Sequence, residues 1–149
     1  MELGNFGAVL TFAAELEAGD RQFYMNAMKN PVTERYRSIF EEAAAVLMKN
    51  EKDLLRARRE NVTEMILEPI HDFRVEVFSS PRSGAGEGTA ESVVEEAVEI
   101  EARAIQFYLL AADKMRALPE VSRLLTKVSK SRAGNQTRLE SLVKLNSIE

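Results

Sequence analysis

Three glutamates and an aspartate fall on helical stripes that are otherwise apolar. Val94, Ala97/Val98, Ala104/Ile105, Tyr108 and Ala111/Ala112 form one stripe at helical period, with Glu101 in its middle. Val9/Leu10, Ala13, Tyr24 and Ala27/Met28 form a second, interrupted by Glu17 and Asp20. A third, Tyr36, Ile39/Phe40, Ala43, Leu47, Leu54 and Arg58, is interrupted by Glu51. The fourth, Val121, Leu124/Leu125, Val128, Leu139 and Leu142, carries Arg132 and Asn135 at the level where the others carry acids. A buried carboxylate has to be neutralised, hydrogen-bonded or bound to a cation, because burying it bare is very costly. The chemistry to look for is therefore that of carboxylates gathered inside a protein.

Four long helices are needed to carry these stripes. The first is expected from about Asn5 to Lys29. Asn30 is then placed to cap a second helix, with Pro31 at its first position, extending to about Asn61. Thr89 can cap the third, which runs to about Ala117. Leu118-Pro119 is a second break, and the fourth helix extends to about residue 145. The outer positions Glu41, Glu42, Lys49, Lys52 and Arg56 read as a solvated face, as do Glu95 and Glu99. The expected organisation is all-α and one domain, 1–149: a helical hairpin 5–61, a connection 62–88 and a second hairpin 89–145.

The connection behaves differently from the rest. Pro69 ends any helix, and Phe73, Val75 and Val77 alternate with Arg74, Glu76 and Phe78 at a period near two. An extended segment packed along the helices is predicted, followed by a flexible Ser79-to-Gly88 stretch. A link of 27 residues is long for a compact domain. Helices of ~25 residues are ~37 Å long, and returning the chain to the opposite end of a bundle needs a span of that order. The link is thus read as a crossover between the second and third helices.

Composition narrows the function. The chain has 149 residues, 45% apolar and 30% charged, with a net charge of −4, which gives no reason to expect nucleic acid or an anionic membrane as partner. With no cysteine, thiolate metal sites, iron–sulfur clusters and a cysteine nucleophile are excluded. Met1-Glu2-Leu3-Gly4-Asn5-Phe6 lacks a basic leader and no apolar run reaches membrane-spanning length, so a cytoplasmic location is expected. Gly84-Ala85-Gly86-Glu87-Gly88 matches no nucleotide motif, and no serine is grouped with a histidine and an acid.

The two halves match each other. Glu17 precedes Tyr24 by seven residues, within Gln22-Phe23-Tyr24; Glu101 precedes Tyr108 by seven, within Gln106-Phe107-Tyr108. Repetition at a spacing of 84 residues indicates two helical hairpins related by a pseudo-twofold. On these residues, and on Phe40 through Leu55, the chain resembles the ferritin-like superfamily, in particular its rubrerythrin branch. The resemblance implies a four-helix bundle with a long crossover between helices 2 and 3. It also implies a di-iron site built from a Glu on each of two helices and Glu-x-x-His on each of the others.

Departures from that pattern shape the expected function. Helix 2 reads Glu51-Lys52-Asp53-Leu54, with leucine where the histidine would be, and helix 4 reads Arg132-Ala133-Gly134-Asn135, with neither acid nor imidazole. The single histidine, His71, lies in the connection and is read as a surface or packing residue. Arg132 brings a permanent cation into the layer and can bridge Glu17, Glu51 and Glu101 in a buried salt-bridge cluster. Three acids and one arginine sum to −2, or −3 if Asp20 also faces in, so acids are protonated, other groups enter, or one cation binds. In this reading Glu17, Glu51 and Glu101 are vestigial metal ligands, Asn135 a weak one, and Tyr24 and Tyr108 core aromatics whose hydroxyls bond the acids.

The leading expectation is a non-catalytic structural, binding or regulatory bundle that needs no cofactor and self-associates, a dimer being favoured. The alternative is a metal-binding protein or oxidoreductase using a remodelled carboxylate site. A single Mg²⁺ or Ca²⁺ suits those oxygen ligands better than iron, which imidazoles usually complete. A third possibility is a small apolar ligand held between the helices.

Overall fold

The computed structural model describes residues 3–61, 69–71, 73, 74, 78 and 88–148, the side chains of 145–148 excepted. Its regular elements are all helical among the described residues. The Asn5 side chain accepts the Ala8 N–H at 2.8 Å and starts helix α1, Phe6–Lys29. Asn30 caps the next segment by accepting the Val32 N–H at 3.1 Å. That segment, Pro31–Tyr36, is a 3₁₀ helix, and the α-helical turns of α2 begin only at Arg37, running Arg37–Glu60. The Thr33 hydroxyl anchors the turn by donating to the Ala27 carbonyl at 2.5 Å.

Thr89 caps helix α3, Ala90–Lys114, by accepting the Ser92 N–H at 3.1 Å. Gly88 enters this cap with φ of 99°, and a Cβ there would come within 2.7 Å of the Ser92 hydroxyl, so the position calls for glycine. Pro119 opens helix α4, Pro119–Ile148. α1 packs along α2 and α3 along α4; α2 also lies against α4, and α1 against α3. No helix among the described residues is long and apolar enough to cross a membrane.

Two apolar clusters fill the interior. One gathers Phe6 and Leu10 of α1, Leu54 of α2, Ala111 and Met115 of α3 and Leu125 of α4. The other gathers Tyr24, Phe40, Leu47, Val94, Ile100 and Leu139. α2 therefore ends in the first cluster, beside the start of α1, while α3 begins in the second, beside the α1–α2 turn.

The described part of the connection lies against the chain's first residues. Asn5 and Pro69 form an antiparallel bridge, Ile70 N–H donates to the Gly4 carbonyl at 3.0 Å, and Leu3 N–H to the Phe73 carbonyl at 2.8 Å. Phe73 and Phe78 are both buried against Phe107, at ring-centroid distances of 5.8 and 5.6 Å. Phe78 thus departs from the expected alternation, which put it on the same side as the exposed Arg74. Val75, Glu76, Val77 and the stretch 79–87 lie outside the described residues. His71 is exposed; its carbonyl accepts from Lys114 Nζ at 3.2 Å.

The expected inner stripe of α2 needs one correction at its end. Arg58 is exposed, because the inner face continues through the half-buried Ala57, which packs on the first cluster. Glu41, Glu42, Lys49, Lys52 and Arg56 are exposed, as are Glu95 and Glu99 on α3.

Candidate functional site

Between the two apolar clusters lies a layer of polar side chains shut off from solvent. Glu17 and Asp20 enter it from α1, Asn50 from α2, Glu101 from α3, and Arg132 and Asn135 from α4. Each occupies the inward phase of its helix, so the apolar packing above and below fixes where the polar groups meet. Arg132 is the hub and is fully buried. Its Nη2 donates to Asp20 Oδ2, its Nη1 lies 3.5 Å from Glu17 Oε2, and its Nε lies 3.3 Å from Glu101 Oε2. Only the Asp20 contact is aligned as a hydrogen bond. Glu17 Oε2, Glu101 Oε2 and Arg132 Nε and Nη1 have no hydrogen-bond partner and are held by charge across those gaps.

The outer oxygens of the two glutamates are satisfied separately. Asn50 Nδ2 donates to Glu17 Oε1 at 2.8 Å and also reaches Ser131 Oγ at 3.0 Å, tying α1, α2 and α4 together. The Tyr24 hydroxyl donates to Glu101 Oε1 at 2.6 Å, and Asn135 Nδ2 approaches the same oxygen at 3.5 Å. Tyr108 donates to the Ala13 carbonyl at 3.3 Å. The Asn135 carbonyl oxygen accepts from Arg138 Nη2, whose Nε lies 3.7 Å from Glu42 Oε1.

The sequence pattern expected Arg132 to bridge Glu17, Glu51 and Glu101. Here the structure differs: Glu51 is outside the layer, and Asp20 completes the set. Glu51 sits at the edge of α2, about one-fifth exposed, where Arg21 Nη1 holds it at 3.1 Å. Both Asn50 and Glu51 continue the period through Leu47 and Leu54, and the Asn50 amide fits between Glu17 and Ser131, whereas a fourth acid would add charge to an acidic layer. Asn50, Ser131 and Arg138 are the members that the sequence reading missed. The available signal was that Asn50 lies three residues after Leu47 and four before Leu54.

Electrostatics follow from this geometry. Burial raises the pKa of Glu101 to about 7, against the opposing pull of Arg132 and the Tyr24 hydrogen bond, with Glu17 and Asp20 adding to the rise. Burial also raises Glu17, although Arg132 and Asn50 work the other way. For Arg132, burial disfavours the charge, but Glu101, Glu17 and Asp20 together outweigh it and lift the pKa well above the guanidinium's ordinary value. Burial and the adjacent Glu101 hold Tyr24 neutral far into the alkaline range; burial and Glu17 do the same for Tyr108. Three carboxylates against one guanidinium would leave −2 if all were ionised, and protonation of Glu101 is the relief the layer itself provides.

These residues do not fit a di-iron centre. Such a site takes two imidazoles and four carboxylates. Helix α2 offers it Asn50 and Leu54, α4 offers Arg132 and Asn135, and the guanidinium stands among the three acids that metals would need. The Asn135 carbonyl oxygen is already engaged by Arg138. Among the described residues, no group of three or more His, Cys, Asp or Glu side chains is arranged to hold a metal ion. In comparisons with known proteins, no family model, no curated protein and no solved structure matches the chain.

Proposed function

We propose that this chain is a ferritin-like, rubrerythrin-like four-helix bundle in which a salt-bridge cluster stands where metal would be. In this reading it serves as a non-catalytic structural, binding or regulatory protein. One observation carries the reading: a fully buried guanidinium, Arg132, is surrounded by Glu17, Asp20 and Glu101 from two other helices. A fixed cation at that place opposes divalent metal, most strongly in a low-dielectric interior. The crossover between α2 and α3 belongs to the same proposal. Its support is that α2 ends in one apolar cluster and α3 begins in the other.

The test is elemental analysis of protein purified from iron-supplied cells. Substoichiometric iron is expected; about two iron ions per chain, the loading of a di-iron bundle, would refute the proposal. A second reading is favoured by the excess of acid over base and by the unbonded Oε2 atoms of Glu17 and Glu101. It takes the layer as a remodelled carboxylate site for one hard divalent cation. It requires Glu101→Gln to abolish Mg²⁺ or Ca²⁺ uptake, and unchanged metal content in that variant excludes it.

A further inference from the structure

The side of α2 that faces away from Asn50 carries a second pattern, which the polar layer does not use. Glu41, Ala45, Met48, Lys52, Leu55 and Arg59 follow one another at steps of four and three, and all six are exposed. Met48 is 47% exposed and Leu55 38%, in a row with small or long-stemmed neighbours. This is the heptad spacing of a helix seam, with Ala45, Lys52 and Arg59 at one seam position and Glu41, Met48 and Leu55 at the other. Charge is polarised along it: Glu41 and Glu42 lie near the start of α2, Lys49 and Lys52 about its middle, and Arg56, Arg58 and Arg59 near its end.

We infer that this face is a self-complementary docking surface on which α2 of a second copy of the chain lies antiparallel. In an antiparallel seam, residues of one seam position oppose residues of the other across a twofold axis. Placing that axis at the level of Asn50 opposes Glu41 with Arg59 of the second copy, Ala45 with Leu55, and Met48 with Lys52, each pair occurring twice. Flanking the seam, Glu42 comes level with Arg56 of the other copy. The acid-to-base gradient of α2 makes the charged contacts, Glu41 with Arg59 and Glu42 with Arg56, opposite in sign, and a parallel arrangement would set like against like. Lys49 comes near its own copy at the axis, but Asp53 already holds its ammonium at 3.0 Å. The stems of Lys52 and Arg59 cover Met48 and the seam's ends while their charged groups stay wet.

This gives the self-association expected from the sequence a surface and a register. It does not depend on how the polar layer is read: metal content and assembly state are separate measurements. The experiment is sedimentation equilibrium of the full chain at about 50 mM and about 500 mM NaCl, where the screening length differs several-fold. The expected species is a dimer that weakens with salt. Glu41→Arg and Arg59→Glu, each folded by far-UV circular dichroism, should each raise the dimer dissociation constant about tenfold or more at the lower salt, because each sets like charges opposite one another at both ends. The double variant Glu41→Arg/Arg59→Glu should restore it. A wild-type monomer throughout the concentration range, leaving the face to solvent or to another protein, overturns the inference. So does a dimer indifferent to both single reversals, or a double variant that does not regain association.

Discussion

Raising the pH from 5 to 8 should destabilise this protein, and Glu101 should account for a measurable part of the loss. The carboxyl is fully buried and its pKa is raised from 4.5 to about 7. Below pH 4.5 it is protonated whether the chain is folded or not. Between 4.5 and 7 the native state keeps a proton that the unfolded state has released, so the unfolding free energy falls as pH rises. Above 7 both states are ionised and the decline stops. At about 1.4 kcal/mol per pH unit, that interval amounts to about 3 kcal/mol. Glu17, also raised, contributes with the same sign.

The assay is urea unfolding followed by far-UV circular dichroism at pH 5, 6, 7 and 8. The wild type should lose most of that amount across the series. Glu101→Gln should lose less, because its amide can turn its oxygen to Arg132 and its nitrogen to the rotatable Tyr24 hydroxyl without titrating. A wild-type stability that is flat or rising over this range would mean that Glu101 does not hold a proton in the native state above pH 5. So would a slope that Glu101→Gln leaves unchanged.

Three further outcomes follow from the same geometry. Arg132→Leu leaves three buried carboxylates without their cation and should cost about 3–5 kcal/mol at pH 7, with part of the loss recovered at pH 5, as read by urea unfolding. Glu51→Ala breaks only a partly exposed pair with Arg21 at the edge of α2 and should change stability by less than about 1 kcal/mol in the same assay. Gly134→Ala puts a methyl group into ordinary contact, 3.6 Å from Arg138 Nη1, within a continuous helix; it should stabilise by about 0.5–1 kcal/mol and raise the thermal midpoint by a few degrees.

Much of this arrangement is legible in the sequence, for identifiable reasons. Asn5, Asn30 and Thr89 announce helix starts because their short oxygens reach a backbone N–H two or three residues on. Pro31 marks the restart, but the sequence does not show that its first turns are 3₁₀, a choice made by where Thr33 anchors to Ala27. Glu17, Glu101 and Arg132 are visible as charges in apolar stripes, since a helix's phase is well determined when many apolar residues agree. Between Asn50 and Glu51 that phase is ambiguous, and resemblance to metal-binding bundles tips the reading towards the acid. What settles it is tertiary: Arg21 waits at the edge for Glu51, and Ser131 waits inside for Asn50. Phe78 similarly turns inward because Phe107 offers it a ring to pack on, which a strand-like alternation cannot foresee.

The two oily clusters on either side of the polar layer would, by themselves, tolerate sliding. Leucine, alanine and phenylalanine meet a neighbouring helix about equally well one turn up or down, a step of ~5.4 Å. Arg132 does not permit it. Moved one turn along α1, its guanidinium would leave Glu17 and Asp20 for the level of Ala13 or of Tyr24, stranding a bare cation among apolar groups. The charged layer thus works as a key cut into an otherwise smooth shaft: it indexes α4 against α1 and α3 and favours this alignment of the two hairpins over its neighbours one turn away.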